Sequence, residues 1–248
     1  MWITFDGILN TRDLGGVETA DGRLVKEKRL LRGGPLHAAS DADIRRLQEE
    51  FSLRAVVDFR DPDECRRKPD RAVPGAAYGN YPALPELPGK GPLNADVVPN
   101  PDFDAVFHRI YTQLAESETT VEAYRAFFRI LLSEDDGGVY WHCTQGKDRT
   151  GVAALLLLAA LGVSREKALE GYFLSNEGLR GEYEKPMTGS TAQWSDAVKA
   201  KLFFVYPEIV SVFFDHIDAA YGGEIGYLKA RLGLTDADIA RLRAKYLE

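Results

Sequence analysis

One short segment carries most of the reactive chemistry in this sequence: His142-Cys143-Thr144-Gln145-Gly146-Lys147-Asp148-Arg149-Thr150-Gly151. A cysteine acts as a nucleophile through its thiolate, which positive potential from arginine, lysine or a helix N-terminus favours. Cys143 opens a short loop that leads into the apolar run Val152 to Leu161. A loop feeding a helix in this way aims the backbone N–H groups of Thr144, Gln145, Gly146, Lys147, Asp148 and Arg149 inward. The shape is that of a cradle for an oxyanion. Gly146 permits the turn, and the Arg149 guanidinium can fork onto two oxygens. The Thr150 hydroxyl is placed to hydrogen-bond the sulfur and help it leave when an intermediate breaks down. A cysteine with these neighbours is a catalytic candidate rather than inert packing.

The elements that position the loop are legible from periodicity. Gly138–His142 is predicted as a short apolar strand, and a helix buried on all sides runs from about Arg149 to Leu161, with Gly162 as its C-cap. Cys143 then sits at a strand's carboxyl end, where open α/β sheets bind ligands. Leu30–Arg32 and Leu53–Phe59 read as strands, and a helix follows Ser40 through Phe51. Asp61-Pro62-Asp63-Glu64 is a capping box with proline at the first helical position, so a short helix follows the second of these strands. Another strand is expected over Ala76–Tyr81. Six of the twelve prolines fall between Pro82 and Pro101, which marks a long functional or mobile loop.

Two helices broken near Ser117–Thr120 are predicted over Val106–Leu132, and one from Ser164 to Phe173. Residues 177–195 read as a polar, irregular second lid. Helices follow over Pro207–Tyr221 and Gly223–Leu232, and Thr235 caps a last one to Leu247. SDADIRRL and TDADIARL, at 40–47 and 235–242, are similar because both are helix starts, not because of duplication. The expectation is an α/β fold with a mainly parallel central sheet flanked by helices. It is one domain over residues 1–248, with lid insertions near 82–118 and 177–198.

Composition bounds the partners. In 248 residues the charge sum is 31 − 38 = −7, so no global basic field attracts nucleic acid or an anionic bilayer. The longest apolar run is too short to span a bilayer, and MWITFDGILN lacks the basic and apolar blocks of a signal peptide. A cytoplasmic protein without integral membrane association is expected. The two cysteines, Cys65 and Cys143, form no disulfide scaffold, and Cys65 reads as a bystander rather than a redox partner. His37, His108 and His216 have no ligand spacing, so neither metal nor cofactor is expected.

Cys-x5-Arg-Thr resembles the phosphate loop of cysteine-dependent phosphatases. HCTQGKDRTG as a whole is similar to the bacterial tyrosine phosphatases typified by mycobacterial tyrosine phosphatase B, and to the tensin-homologue lipid phosphatases, which carry a lysine at the position of Lys147. Asn10-Thr11-Arg12-Asp13-Leu14-Gly15-Gly16 looks like the family's NxRDxGG segment. Leu31-Arg32-Gly33-Gly34 resembles its FRS strand, and Val57-Asp58-Phe59-Arg60 its DLR strand end. The segments at 172–176 and 221–228 echo later ones.

The resemblance implies a phosphatase fold and hydrolysis of phosphate monoesters through a phosphocysteine on Cys143. Phosphotyrosine is the first substrate class, with phosphoserine, phosphothreonine and phosphoinositides as extensions, and a phosphate or sulfate ion is expected in the loop. Arg149 would bind phosphoryl oxygens, His142 would organise the loop, and an aspartate would protonate the leaving group. The Trp-Pro-Asp acid loop of other tyrosine phosphatases is missing; Trp194-Ser195-Asp196 is a superficial echo. Asp58 is favoured as the acid, because Asp61 is already explained as a cap and parallel strands would open Asp58 and Cys143 on one edge. Asp148 is the runner-up, since Lys147 and Arg149 should keep it ionised. Lys147 is read as charge offered to an anionic substrate, and Arg12 with Asp13 as a salt bridge bracing the sheet. A rhodanese-like sulfur-transfer loop would lack the Lys147–Thr150 ending. A phosphate-reading module without catalysis would normally lack the nucleophile or the arginine.

Overall fold

Leu30 and Leu31, Val56 and Val57, and Tyr140 and Trp141 are apolar neighbours along three strands, so each pair sends one side chain to either face. Both faces must then be covered, which is the situation of a parallel sheet. The computed structural model describes residues 1–84, 102–133, 136–189, 192 and 194–248. Its strands are β1 (Arg12–Asp13), β2 (Leu30–Gly33), β3 (Leu53–Asp58), β4 (Ala77–Asn80) and β5 (Gly138–His142). They lie in the order β1-β2-β5-β3-β4, with β1 antiparallel and every other neighbouring pair parallel. Asp58 is level with His142 across the β3–β5 pair.

The helices begin with α1 (Asp41–Glu49), α2 (Pro62–Arg67), α3 (Phe103–Glu116), α4 (Glu118–Leu132), α5 (Asp148–Leu161) and α6 (Arg165–Phe173). They continue with α7 (Ser175–Gly178), α8 (Arg180–Glu184), α9 (Asp196–Phe203), α10 (Pro207–Tyr221), α11 (Glu224–Ala230) and α12 (Asp236–Tyr246). Leu31, Val56 and Tyr140 pack with Ile44 and Leu47 of α1 in one core. Leu30, Val57 and Trp141 face the larger core, built with α3 to α6 and α10 to α12. α5 is buried from Thr150 to Leu161 except at Ala159, and ends at Gly162 in the left-handed region, φ +90°. Its apolar circumference is satisfied because helices and sheet surround it.

The two similar octapeptides do the same local job. Ser40 with Asp43, and Thr235 with Asp238, each form a reciprocal capping box. The proline-rich stretch 85–101 lies outside the described residues. Two expectations change. The segment read as irregular from 177 to 195 contains α8 and the end of α7. These short turns are held by distant partners: the Asn176 amide bonds both the N–H and the carbonyl of Val205, at 2.7 and 3.0 Å, and Tyr183 packs 4.7 Å from the Phe204 ring. Tertiary contacts here override a weak local signal. Arg12 and Asp13 also form no salt bridge, because neighbours on a strand point to opposite faces. Arg12 donates to Ser175 Oγ at 3.0 Å and lies over the Trp2 ring, while Asp13 accepts from the N–H groups of Gly15 and Lys28.

Candidate active site

The loop between β5 and α5 is shaped from behind. Asn10 Nδ2 donates to the Gln145 carbonyl at 2.9 Å, and Arg32 Nη2 to the Gly146 carbonyl at 2.7 Å. With those carbonyls drawn outward, the intervening N–H groups turn inward. The N–H groups of Thr144, Gln145 and Gly146 bond no protein group among the described residues. Gly146 has φ +67°, and a Cβ there would lie 2.2 Å from the Gly33 carbonyl oxygen. The first turn of α5 is pinned by Tyr124, whose hydroxyl donates to the Arg149 carbonyl, and by Trp141, whose indole N–H donates to that of Thr150.

Cys143 is buried at the floor of this cradle. Burial pushes its thiol up, but the Arg149 charge and the hydroxyl and N–H of Thr150 outweigh it, leaving the group below its ordinary range. The buried Thr150 hydroxyl makes no hydrogen bond of ordinary geometry among the described residues, which leaves it available to that sulfur. Arg149 is held end-on by Glu64 of α2, at 2.8 and 3.1 Å, and its Nη2 also donates to Thr144 Oγ1 at 3.0 Å. Thr144 in turn donates to Glu64. The guanidinium's Nε–H makes no bond among the described residues, so the Nε–Nη2 edge can take a tetrahedral anion if Thr144 yields. Burial alone would weaken the Arg149 cation, yet the Glu64 carboxylate raises its pKa, and Arg149 holds Glu64 ionised against its own burial.

The two candidate acids lie in opposite environments. Asp58 is fully buried and level with His142, and its oxygens are taken. It accepts from Arg60 Nη2 at 2.6 Å, from the Tyr78 hydroxyl at 2.8 Å and from the Cys65 thiol at 3.3 Å. Burial would raise it, but His142 and Arg60 hold it down at about 2. A sealed, ionised carboxylate has neither a proton to give nor a path to the leaving oxygen. That environment weighs against the sequence preference for Asp58 and toward Asp148. Asp148 opens α5 with its side chain 20% exposed, and its Oδ1 accepts from the Tyr111 hydroxyl at 2.7 Å.

His142 Nε2 lies 2.9 Å from Asp70 and Nδ1 3.8 Å from Asp58. Burial would lower its pKa, and the two carboxylates raise it. Asp58, Asp70 and His142 bring ligand atoms within 4.8 Å of one another. Arg60 Nη2 already fills the cation's place, 2.6 Å from Asp58 and 3.0 Å from Asp70. Burial and Asp58 push the Cys65 thiol up to about 11.

Residues 3–248 match the family model described as the tyrosine phosphatase family. The chain belongs to that family. A Cupriavidus necator protein named as a tyrosine-protein phosphatase is 35% identical over 255 residues, covering 99% of this chain and 88% of its own. The triple specificity protein phosphatase PtpB of Mycobacterium tuberculosis is 26% identical over 285 residues, 97% of each chain. A tyrosine-protein phosphatase of Nostoc commune is 23% identical over 233 residues, 87% of this chain and 73% of its own.

In this phosphatase Lys147 does not face an open substrate site. Its Nζ is buried over the Phe107 ring at 4.8 Å and 3.3 Å from the Phe204 carbonyl, with Asp148 at 3.5 Å. Burial lowers its pKa and Asp148 partly restores it. Lys147→Ala should therefore reduce kcat/KM on an aryl phosphate and on a phosphoinositide by similar factors, each about tenfold for a lost buried cation contact. A loss confined to the lipid, in parallel assays, would show the ammonium turned to substrate. Sequence reasoning missed Glu64 as an Arg149 partner because its capping role already explained it. It does both: Oε2 accepts from the Asp61 N–H at 2.9 Å as well as from Arg149. A glutamate just past a strand neighbouring the cysteine's own was the available signal.

Proposed function

We propose that this phosphatase transfers the phosphoryl group of a monoester to the Cys143 sulfur and then hydrolyses the phosphocysteine. The observation that carries the reading is the loop itself: a thiol held below its ordinary range at the floor of a ring of unbonded N–H groups, beside a guanidinium edge. The N–H groups of residues 144–149 and Arg149 hold the equatorial oxygens as charge develops on them. Cys143 attacks phosphorus in line, the P–O bond to the leaving group breaks, and Asp148 gives that oxygen a proton. Water then attacks the phosphocysteine, with Asp148 taking a proton back and Thr150 bonding the departing thiolate. Glu64 keeps the guanidinium in place throughout.

Phosphotyrosine esters fit the family, and the wider class of phosphoserine, phosphothreonine and phosphoinositide esters presents the same dianion to the same cradle. The test is a rate comparison across nitrophenyl phosphate, a phosphotyrosine peptide, a phosphoserine peptide and a phosphoinositide, with a thermal shift on adding inorganic phosphate. Turnover of the first two, with the loop occupied in crystals grown with phosphate, is expected. No turnover of any ester, or an ordered anion elsewhere with this loop empty, would overturn the proposal.

A further inference from the structure

Three elements contribute to one hydrogen-bonded chain that ends on a carboxylate oxygen. Asp148 opens α5, Tyr111 comes from α3, and Tyr172 comes from α6. The Tyr111 hydroxyl lies 2.7 Å from Asp148 Oδ1 and in close hydrogen-bond contact with the Tyr172 hydroxyl. Both tyrosines are fully buried. A phenylalanine would fill the same space, and a buried hydroxyl costs free energy unless it is bonded. The hydroxyls are therefore explained by each other and by Asp148.

Their direction follows from counting protons. Each phenol carries one, and an ionised carboxylate can only accept. Tyr111 must spend its proton on Oδ1, which leaves Tyr172 as the donor to Tyr111. A donor that is itself fed by a donor is strengthened. Burial raises both phenols above their ordinary range, so the chain stays protonated through the working pH.

We propose that Tyr111, backed by Tyr172, is a positioning residue for the proton donor; this rests on the assignment of Asp148 to that role. With Oδ1 committed as an acceptor, the proton to be transferred is confined to Oδ2. The same bond steadies the carboxylate that remains after transfer to a poor leaving group. The other charged or titratable groups facing Asp148 are Cys143, Lys147 and Arg149 from the loop and α5, Arg32 from β2 and Tyr124 from α4. Among the described residues, only Tyr111 hydrogen-bonds Oδ1.

The test compares kcat–pH profiles of Tyr111→Phe, Tyr172→Phe and Asp148→Asn on an alkyl phosphate and on nitrophenyl phosphate. Removing a hydrogen bond to a charged group should move the alkaline limb of Tyr111→Phe up by about one pH unit. It should also slow the alkyl ester about tenfold more than the aryl ester. Tyr172→Phe should move the limb in the same direction by less. Equal losses on both esters with the limb unmoved in both variants would mean that the phenols only pack, and would overturn the inference. Asp148→Asn separates the two levels. If it leaves the limb and the leaving-group dependence intact, the donor assignment fails. If it erases them while neither phenylalanine variant shifts anything, only the role of Tyr111 falls.

Discussion

Cys143→Ser should lower turnover by on the order of 10⁴-fold or more while inorganic phosphate still binds the loop. The substitution replaces a sulfur that the site holds toward its thiolate with a hydroxyl that no field of this size can ionise near neutrality. The forces that lower the thiol's pKa are the Arg149 charge and the hydrogen bonds from Thr150, set against burial. None of the groups that hold an anion changes: the N–H groups of Thr144, Gln145 and Gly146 are set by Asn10 and Arg32 from behind. Removing the thiolate also removes its repulsion of a bound dianion, so phosphate should bind the variant as tightly as the parent protein or more so. At a hundredfold excess over Kd, binding adds about 2.7 kcal/mol of stability, readable as a rise in Tm. Appreciable residual turnover, or loss of the phosphate-induced rise, would contradict the role given to Cys143.

The loop was legible because its chemistry is local. Cys143, Gly146, Arg149 and Thr150 lie within one turn and the start of one helix, so spacing along the chain fixes spacing in space. The α/β frame was legible for a similar reason: strand alternation and capping boxes such as those of Ser40 and Asp61 are short-range signals. The environment of Asp58 was not, although the parallel pairing of β3 and β5 was anticipated correctly. That pairing puts Asp58 beside His142, but four other residues then close over it. Arg60 folds back from two positions on, Cys65 comes from α2, Tyr78 from β4 and Asp70 from the segment between them. Charge and hydroxyl partners drawn from separate elements have no signature in local spacing. A carboxylate at a strand's carboxyl end therefore reads the same whether it opens to solvent or is sealed. Tyr111 escaped notice for the same reason: within α3 it is one more apolar-face residue, and only the docking of α3 on α5 aims its hydroxyl at Asp148.

The pair of aspartates provides the second large effect, which appears in stability rather than rate. Asp58→Asn leaves Arg60 and His142 buried with one carboxylate, Asp70, between them. Breaking a buried ion pair from one side costs about 3–5 kcal/mol, which urea denaturation would read directly. The pH dependence has a definite sign. Asp58 is held down at about 2 in the fold, below its unfolded value of about 4. Its contribution is thus present above about pH 4 and lost as the pH falls toward 2. His142 is raised in the fold, so its contribution is complete below about pH 6.5 and lost as the pH rises through the folded value. Stability from this cluster is therefore greatest between about pH 4 and 6.5. In Asp58→Asn the acid-side loss attributable to this residue should vanish, and the His142 limb should move to lower pH because one of the two carboxylates that sustain the imidazolium is gone. Asp148→Asn takes a carboxylate from beside the buried Lys147 ammonium but keeps an amide oxygen for the Tyr111 hydroxyl, so its stability loss should be smaller than that of Asp58→Asn. It should instead slow alkyl esters about 10²–10⁴-fold and abolish the alkaline limb of kcat. An Asp58→Asn variant with parental stability and no alkaline limb would exchange the two roles, making the sealed carboxylate the donor and the loop aspartate the brace.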